Sequence, residues 1–145
     1  MLDEFIKVAQ LKKKDPDAVR LLPSLVLAYV GDAVYELFVR TYLLHKYDYP
    51  VHKLHEQSVR FVNAASQSEI VHALEGEWSE EEKRIIKRGR NQKSGSVPKN
   101  AALMDYKYAT GFETLIGYLF LTGQMERLTD IIYKSLVYLE ELDRK

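Results

Sequence analysis

The segment LVLAYVGDAVYELFVRTYLL, residues 25–44, constrains the fold more than any other part of the sequence. Pro23 and Ser24 can begin a helix immediately before it. Apolar residues then lie on nearly every face of that helix. A helix that is apolar on all sides is typical of the middle of a helical bundle. We therefore expect this segment to be surrounded by other helices.

The rest of the chain also predicts helices. Residues 51–62 (VHKLHEQSVRFV) and 64–74 carry apolar residues three and four positions apart, as amphipathic helices do. A second strongly apolar helix is predicted over Ala102–Leu121. The last helix presents one apolar stripe, formed by Met125, Leu128, Ile131, Ile132, Leu136 and Leu139. No segment alternates with period two or repeats, so we predict an all-α bundle in a single domain, residues 1–145.

Two breaks divide these helices. Tyr47–Pro50 separates the first long apolar helix from the next. Ser79 followed by Glu82 is a capping-box signature for a short helix that stops at Gly89. Gly, Ser, Asn, Gln and Pro then dominate up to Asn100, which predicts the longest loop of the chain.

The charge of the chain is balanced in total but not locally. The 21 Lys and Arg residues match the 21 Asp and Glu residues, which would normally argue against a nucleic-acid partner. Residues 75–82 hold five acids and no base, whereas residues 83–99 hold seven bases and no acid. In residues 88–100 these bases alternate with small hydrogen-bonding residues, a composition that suits phosphate and ribose oxygens. The alternative is an ordinary solvated basic surface.

Composition excludes several classes of function. The chain has no cysteine, which rules out disulfides, thiol chemistry and cysteine-based zinc sites. His52 and His55 are one helical turn apart but have no third zinc ligand nearby, and no nucleotide-binding or serine-nucleophile motif is present. The N-terminus lacks the apolar core of a secretory signal, and no uncharged stretch reaches the roughly 20 residues of a membrane span. We expect a soluble cytoplasmic protein with no membrane partner.

Acidic residues interrupt both apolar helices. Asp32 lies in the middle of the first, with Glu36 one turn later, and Glu113 lies in the second, one turn after Thr110. An ionised carboxylate in such a setting requires a cation, a hydrogen-bond donor or a metal ion. Two core helices that each carry an inward acid suit Mg²⁺, which prefers oxygen ligands. The alternative is that each acid lies at a solvated edge or pairs with an arginine.

Gly31 and Gly117 fall within the same two helices, where glycine costs about 1 kcal/mol relative to alanine. Close approach of another backbone would offset that cost. The sequence leaves three explanations for these glycines open. They are close approach within the fold, close approach across a dimer, and neutral substitution.

Three segments together resemble the ribonuclease III family. LAYVGDAVYELFVR resembles the signature E-x-x-E-F-L-G-D-A, KRGRNQKSG resembles the loop L-G-R-G-E-x-S-G, and ATGFETLIGYLFL resembles the second acidic helix, D-x-x-E-A-L-I-G. Their order and spacing agree, from Leu25 to the last helix. The chain is most similar to the compact type that has the catalytic domain alone, without a double-stranded-RNA-binding domain.

The resemblance implies an all-helical homodimeric endonuclease that uses Mg²⁺ to cut double-stranded RNA. For the compact type it implies trimming of precursor 23S ribosomal RNA on ribosome-associated substrates, with a ribosomal protein as a candidate helper. Asp32 and Glu113 match family acidic positions, which implies that they are catalytic and hold the metal ion. The basic loop would then clamp the RNA backbone through Arg88, Arg90, Lys93 and Lys99.

Two family acidic positions hold other residues in this chain, namely Ala28 and Thr110. The resemblance therefore does not transfer a four-carboxylate site. Glu36 and Asp105 are supplementary acids that match no family catalytic position. A catalytically silent relative that binds double-stranded RNA remains an alternative. So does a helical protein-interaction module whose basic loop docks an acidic partner.

Overall fold

The structure is a computed structural model that describes residues 1–92 and 101–144. These residues form α-helices and one short 3₁₀ turn at Glu75–Glu77, with no β-strand among them, which confirms the predicted all-α fold. None of the helices within the described ranges combines the length and apolar character needed to cross a membrane. The helices are α1 (Leu2–Val8), α2 (Pro16–Arg20), α3 (Ser24–Lys46), α4 (Val51–Val62), α5 (Ala64–Ala73), α6 (Glu80–Arg90), α7 (Ala101–Leu121) and α8 (Met125–Asp143).

The helix boundaries follow the local signals in the sequence. The predicted break after Tyr47 separates α3 from α4. The predicted capping box begins α6: Ser79 Oγ accepts a hydrogen bond from the Glu82 backbone N–H at 3.1 Å, and Glu82 Oε1 accepts one from the Ser79 N–H at 2.9 Å. α6 ends at Arg90, one residue beyond the predicted stop at Gly89.

α7 occupies the middle of the bundle. It packs against α3, α5 and α6, and Phe112, Leu115, Ile116 and Leu119 on it are fully buried. α3 was expected to be surrounded, and this expectation is wrong for the single chain. One face of α3 is buried, but along the opposite face Tyr29 is 81% exposed, Leu37 57% and Leu44 61%.

α3 and α7 approach each other at two glycines. A Cβ atom added to Gly31 would overlap the Glu113 carbonyl oxygen and lie 2.8 Å from the Gly117 nitrogen. A Cβ atom added to Gly117 would overlap the Leu27 carbonyl oxygen. The two backbones are therefore in direct contact. Of the three explanations open from the sequence, close approach within the fold accounts for both glycines.

Partly buried polar contacts attach the flanking helices. Arg127 on α8 donates two hydrogen bonds to the Glu82 carboxylate, each at 2.9 Å. Glu140, also on α8, accepts hydrogen bonds from Tyr42, Lys46 and Tyr47. The predicted apolar stripe of α8 is buried except at Met125, which is largely exposed at the start of the helix.

We predict that Gly31→Ala destabilises the protein strongly. Overpacking a core costs about 1–3 kcal/mol when side chains can rearrange. Here the atoms in the way belong to the α7 backbone, so we expect a loss of at least about 3 kcal/mol in the free energy of unfolding. Urea unfolding measures this loss. Gly76→Ala is the control, because no atom lies within 4 Å of a Cβ at that position. Equal stability of the two variants would contradict the prediction.

Candidate active site

The glycine contact brings Asp32 and Glu113 together. Gly31, which precedes Asp32 on α3, faces the backbone of Glu113 on α7. The two carboxyl groups lie close enough together for Asp32 to raise the pKa of Glu113. Asp32 is exposed to solvent, whereas Glu113 is largely buried. The structure therefore places these two predicted site residues in one carboxyl pair at the surface end of the α3–α7 contact.

The environment of Glu113 favours its protonated form. Burial, and then the hydrogen bond and the negative charge of Asp32, raise the pKa of Glu113 to about 8. The side-chain amide of Gln67 acts in the opposite direction and lowers it. At neutral pH the protonated form of Glu113 is therefore favoured. A divalent cation bound by both carboxylates would take the place of this proton.

Gln67 is a residue of the site that the sequence reasoning missed. It lies on α5 and is only 2% exposed. Its Nε2 atom has no hydrogen-bond partner among the residues that the structure describes. The available signal was its spacing: Gln67 precedes the apolar residues Ile70 and Val71 by three and four positions, so it shares their buried face.

The two residues that stand at family acidic positions without being acids are buried. Ala28 and Thr110 are each 8% exposed, and the Thr110 hydroxyl donates a hydrogen bond to the Tyr106 carbonyl oxygen at 3.0 Å. Neither position adds a carboxylate to the pair. Over residues 1–92 and 101–144, no group of three or more Asp, Glu or His side chains is arranged to hold a metal ion. The site is therefore built on two carboxylates.

The supplementary acids lie apart from the pair. Glu36 binds Arg40 one turn later on the same helix, with Nη2 and Oε1 2.7 Å apart. Asp105 is eight residues before Glu113, about 12 Å along α7. It lines a different cleft, together with Arg60 and Asp143. These contacts give Glu36 and Asp105 other roles.

Arg88, which was predicted to contact RNA, makes three hydrogen bonds within the protein. Its Nε donates to Ser24 Oγ at 3.0 Å, and its Nη1 and Nη2 donate to the carbonyl oxygens of Arg20 at 2.7 Å and of Leu22 at 3.3 Å. Arg88 therefore ties α6 to the start of α3. The sequence did not predict this structural role, and its contact with RNA stays a prediction.

The other predicted RNA-binding residues lie at or beyond the end of α6. The Arg90 guanidinium lies 5.6 Å from the centre of the Tyr108 ring, and its Nε donates to Asn91 Oδ1 at 3.1 Å. Lys93 and Lys99 lie outside the described residues.

The donor set of the pair fits Mg²⁺. This ion keeps several waters and is commonly bound through one or two carboxylates together with substrate phosphates. Asp32 and Glu113 supply two such carboxylates, and the raised pKa of Glu113 beside Asp32 is consistent with a site that favours a positive charge there. A site for zinc would need further nitrogen or carboxylate ligands, and the described residues do not bring them together.

We predict that Glu113 makes stability depend on pH in the absence of metal. Its pKa is about 8 in the folded protein against 4.5 for an ordinary glutamate. The stability contributed by its proton is therefore fully present below the ordinary value and is lost as the pH rises to about 8. The slope reaches about 1.4 kcal/mol per pH unit where the proton difference is complete.

Unfolding in a chelator at about pH 5, 7 and 9 measures this slope. Glu113→Gln should reduce it, because the amide does not titrate. The exposed Glu126 provides the control variant Glu126→Gln, which should keep the slope. An unchanged slope in Glu113→Gln would show that Glu113 is not the titrating group.

Comparison with known proteins identifies the family of the chain. The family model of the Ribonuclease III domain matches residues 25–124, which contain both acids. The chain is 44% identical over 137 residues to Mini-ribonuclease 3 of Thermoanaerobacter sp. strain X514, covering 94% of this chain and 95% of that protein. It is 47% identical over 131 residues to Mini-ribonuclease 3 of Clostridium tetani, covering 90% of this chain and 81% of that protein.

A solved structure shares the fold. The crystal structure of a protein from Fusobacterium nucleatum superposes with a TM-score of 0.73 at 35% sequence identity, covering 81% of this chain and 94% of that one. The family match extends over more than half of the chain, and the named relatives are similar over nearly their whole length. The chain therefore belongs to the ribonuclease III family of endoribonucleases.

Proposed function

We propose that the protein is a Mg²⁺-dependent endoribonuclease that cuts double-stranded RNA at the Asp32–Glu113 pair. The observation that carries this proposal is the carboxyl pair itself, held at the glycine contact between α3 and α7. Two acids that lie close together form a preorganised site for a cation, because the positions of both are set by the helix packing. Family membership supports the same reaction class.

The two acids have different parts in this proposal. Bound Mg²⁺ would activate a water nucleophile and neutralise the charge that develops on the phosphate. Asp32 is exposed, so its carboxylate would be accessible to the RNA. Glu113 is largely buried, so its carboxylate is the fixed partner. Asp32 and Glu113 are therefore assigned as both catalytic residues and metal ligands.

Basic residues near the end of α6 are proposed to bind the RNA backbone. Arg90, Lys93 and Lys99 would contact phosphates directly, since duplex RNA is recognised mainly through phosphates, 2′-hydroxyls and shape. The hydrogen bonds of Arg88 to the beginning of α3 argue that its main contribution is to hold the helix that carries Asp32. We expect binding to be weak and sensitive to salt.

The exposed face of α3 is proposed to bind a second copy of the chain. Leu25, Tyr29, Leu37 and Leu44 extend along a helix segment of about 30 Å on this face. Large exposed apolar residues grouped along one face of a helix indicate an interaction site. A twofold dimer places the same face of both subunits in contact. Asp32 lies beside this face, so each site in the dimer would be close to the subunit boundary.

We further propose that the natural substrate is precursor 23S ribosomal RNA in the cytoplasm, with a ribosomal protein on the substrate as a candidate helper. The support for this is the resemblance to the compact type of the family. The absence of cysteine from the sequence agrees with a reducing compartment.

Asp32→Asn should leave the fold intact and reduce cleavage of a long RNA duplex in Mg²⁺ by at least about 100- to 1,000-fold. The amide is nearly isosteric but carries no charge for the cation. Gel analysis of product size, with Mg²⁺ or with a chelator, measures the effect. Asp48→Asn is the matched control, because Asp48 is an exposed aspartate between α3 and α4.

The same assay separates the alternatives. Duplex binding by the unmodified protein without any Mg²⁺-dependent product would identify a catalytically silent relative. Absence of RNA affinity at moderate salt would favour a protein-interaction module. Cleavage by Asp32→Asn at the native rate would overturn the assignment of the site.

Leu37→Lys should convert the dimer into a monomer, because it introduces a charge in the middle of the exposed face of α3. Sedimentation equilibrium measures the mass, and circular dichroism checks that the helices are retained. Val51→Lys is the control, since Val51 is a highly exposed apolar residue at the start of α4. A monomeric unmodified protein, or a dimeric Leu37→Lys variant, would count against this interface.

A further inference from the structure

We infer that Gln67 is a positioning residue that orients the Glu113 carboxylate for cation binding. Its buried side-chain amide lies near the Glu113 carboxyl group and would donate an N–H hydrogen bond to Glu113 once that group is ionised. The inference rests on the proposed function of the Asp32–Glu113 pair and adds a third residue to it.

The packing of α5 on α7 sets the position of Gln67 opposite Glu113. Further along α5, the His72 ring lies 4.4 Å from the Tyr108 ring of α7, measured between centroids. Gln67 shares the buried face of α5 with Ile70 and Val71, and α5 packs directly against α7. The side-chain amide of Gln67 lies close enough to the Glu113 carboxyl group to affect its pKa.

The amide of Gln67 has no other use in the described structure. The residue is 2% exposed, and its Nε2 atom has no hydrogen-bond partner among the described residues. A buried amide without a partner destabilises a fold, and an apolar side chain of the same size would avoid that cost. A local violation of this kind is typical of a functional position. Glu113 is an acid that lies close enough to the Gln67 amide for its pKa to be affected.

The geometry leaves room for both contacts of Glu113. An ionised carboxylate has about four lone-pair positions on two oxygens. One of these positions would serve the cation shared with Asp32, and another would accept the N–H of Gln67. Outer-shell partners of this kind fix the orientation of metal ligands. Orientation of Glu113 is important in a site that has two carboxylates. If the Glu113 carboxylate pointed away from the cation, Asp32 would be left as the one protein ligand of the pair.

The test is Gln67→Met, which keeps the length of the side chain and removes the donor. We expect its affinity for Mg²⁺, measured by calorimetry without RNA, to fall by about 10- to 100-fold. The kcat for duplex cleavage at fixed Mg²⁺ should fall in parallel, while the KM for RNA is unchanged. Stability to urea should be equal or higher, since an unpartnered buried amide has been removed. A purely structural residue would instead lower stability.

Ser68→Ala is the matched control. Ser68 is the neighbouring buried polar residue of α5, and its carbonyl oxygen contacts His72 Nδ1 at 2.8 Å. This variant should bind Mg²⁺ as tightly as the unmodified protein. An equal loss of Mg²⁺ affinity in both variants would show a general effect of disturbing α5 and would overturn the role of Gln67.

A second measurement needs no substitution. In the unmodified protein, the side-chain amide resonances of Gln67 should shift when Mg²⁺ is added without RNA, because the acceptor changes. Absence of this shift, or unchanged Mg²⁺ affinity and kcat in Gln67→Met, would overturn the inference. If the unmodified protein neither binds Mg²⁺ nor cuts RNA, the proposed function itself fails. If it does both and Gln67→Met equals it, only the role of Gln67 fails.

Discussion

Direct contact between the backbones of α3 and α7 is the constraint on which the rest of the structure depends. Side chains at Gly31 or Gly117 would overlap carbonyl oxygens of the facing helix, so the distance between the helix axes is set by main-chain atoms. Main-chain atoms cannot change rotamer, which makes this contact the most rigid in the bundle. Asp32 and Glu113 each lie within one helical turn of it, and their separation is therefore fixed by the fold.

This rigidity has an electrostatic consequence. Two acids held together cannot both ionise freely, and burial adds to the effect, so the pKa of Glu113 is raised to about 8. The fold thus stabilises the pair only when a proton or a cation lies between the carboxyl groups. The Gln67 amide acts against this trend, since it favours the ionised form of Glu113. The site is balanced between a protonated state and a state that is ready for a cation.

Much of the fold and the two acids could be predicted from the sequence, because helix periodicity, the capping box at Ser79 and the isolated acids of the apolar helices are local signals. The exposure of one face of α3 could not be predicted. The spacing of its apolar residues is the same whether a helix of the same chain or a second chain covers that face. The structural role of Arg88 was hidden because its partners on Ser24, Arg20 and Leu22 are distant in sequence. Gln67 could not be assigned because its place near Glu113 depends on the packing of α5 on α7.

The replacement of two family acids is physically consistent with this arrangement. Ala28 and Thr110 are buried, and a carboxylate at either position would bring a further negative charge towards a pair that already retains a proton. With fewer acids, repulsion at the α3–α7 contact is smaller, but fewer ligands remain to define the cation position. Orientation of the remaining ligands must then come from the protein around them. A neutral donor such as the Gln67 amide can orient a carboxylate without adding charge, which a third carboxylate cannot do.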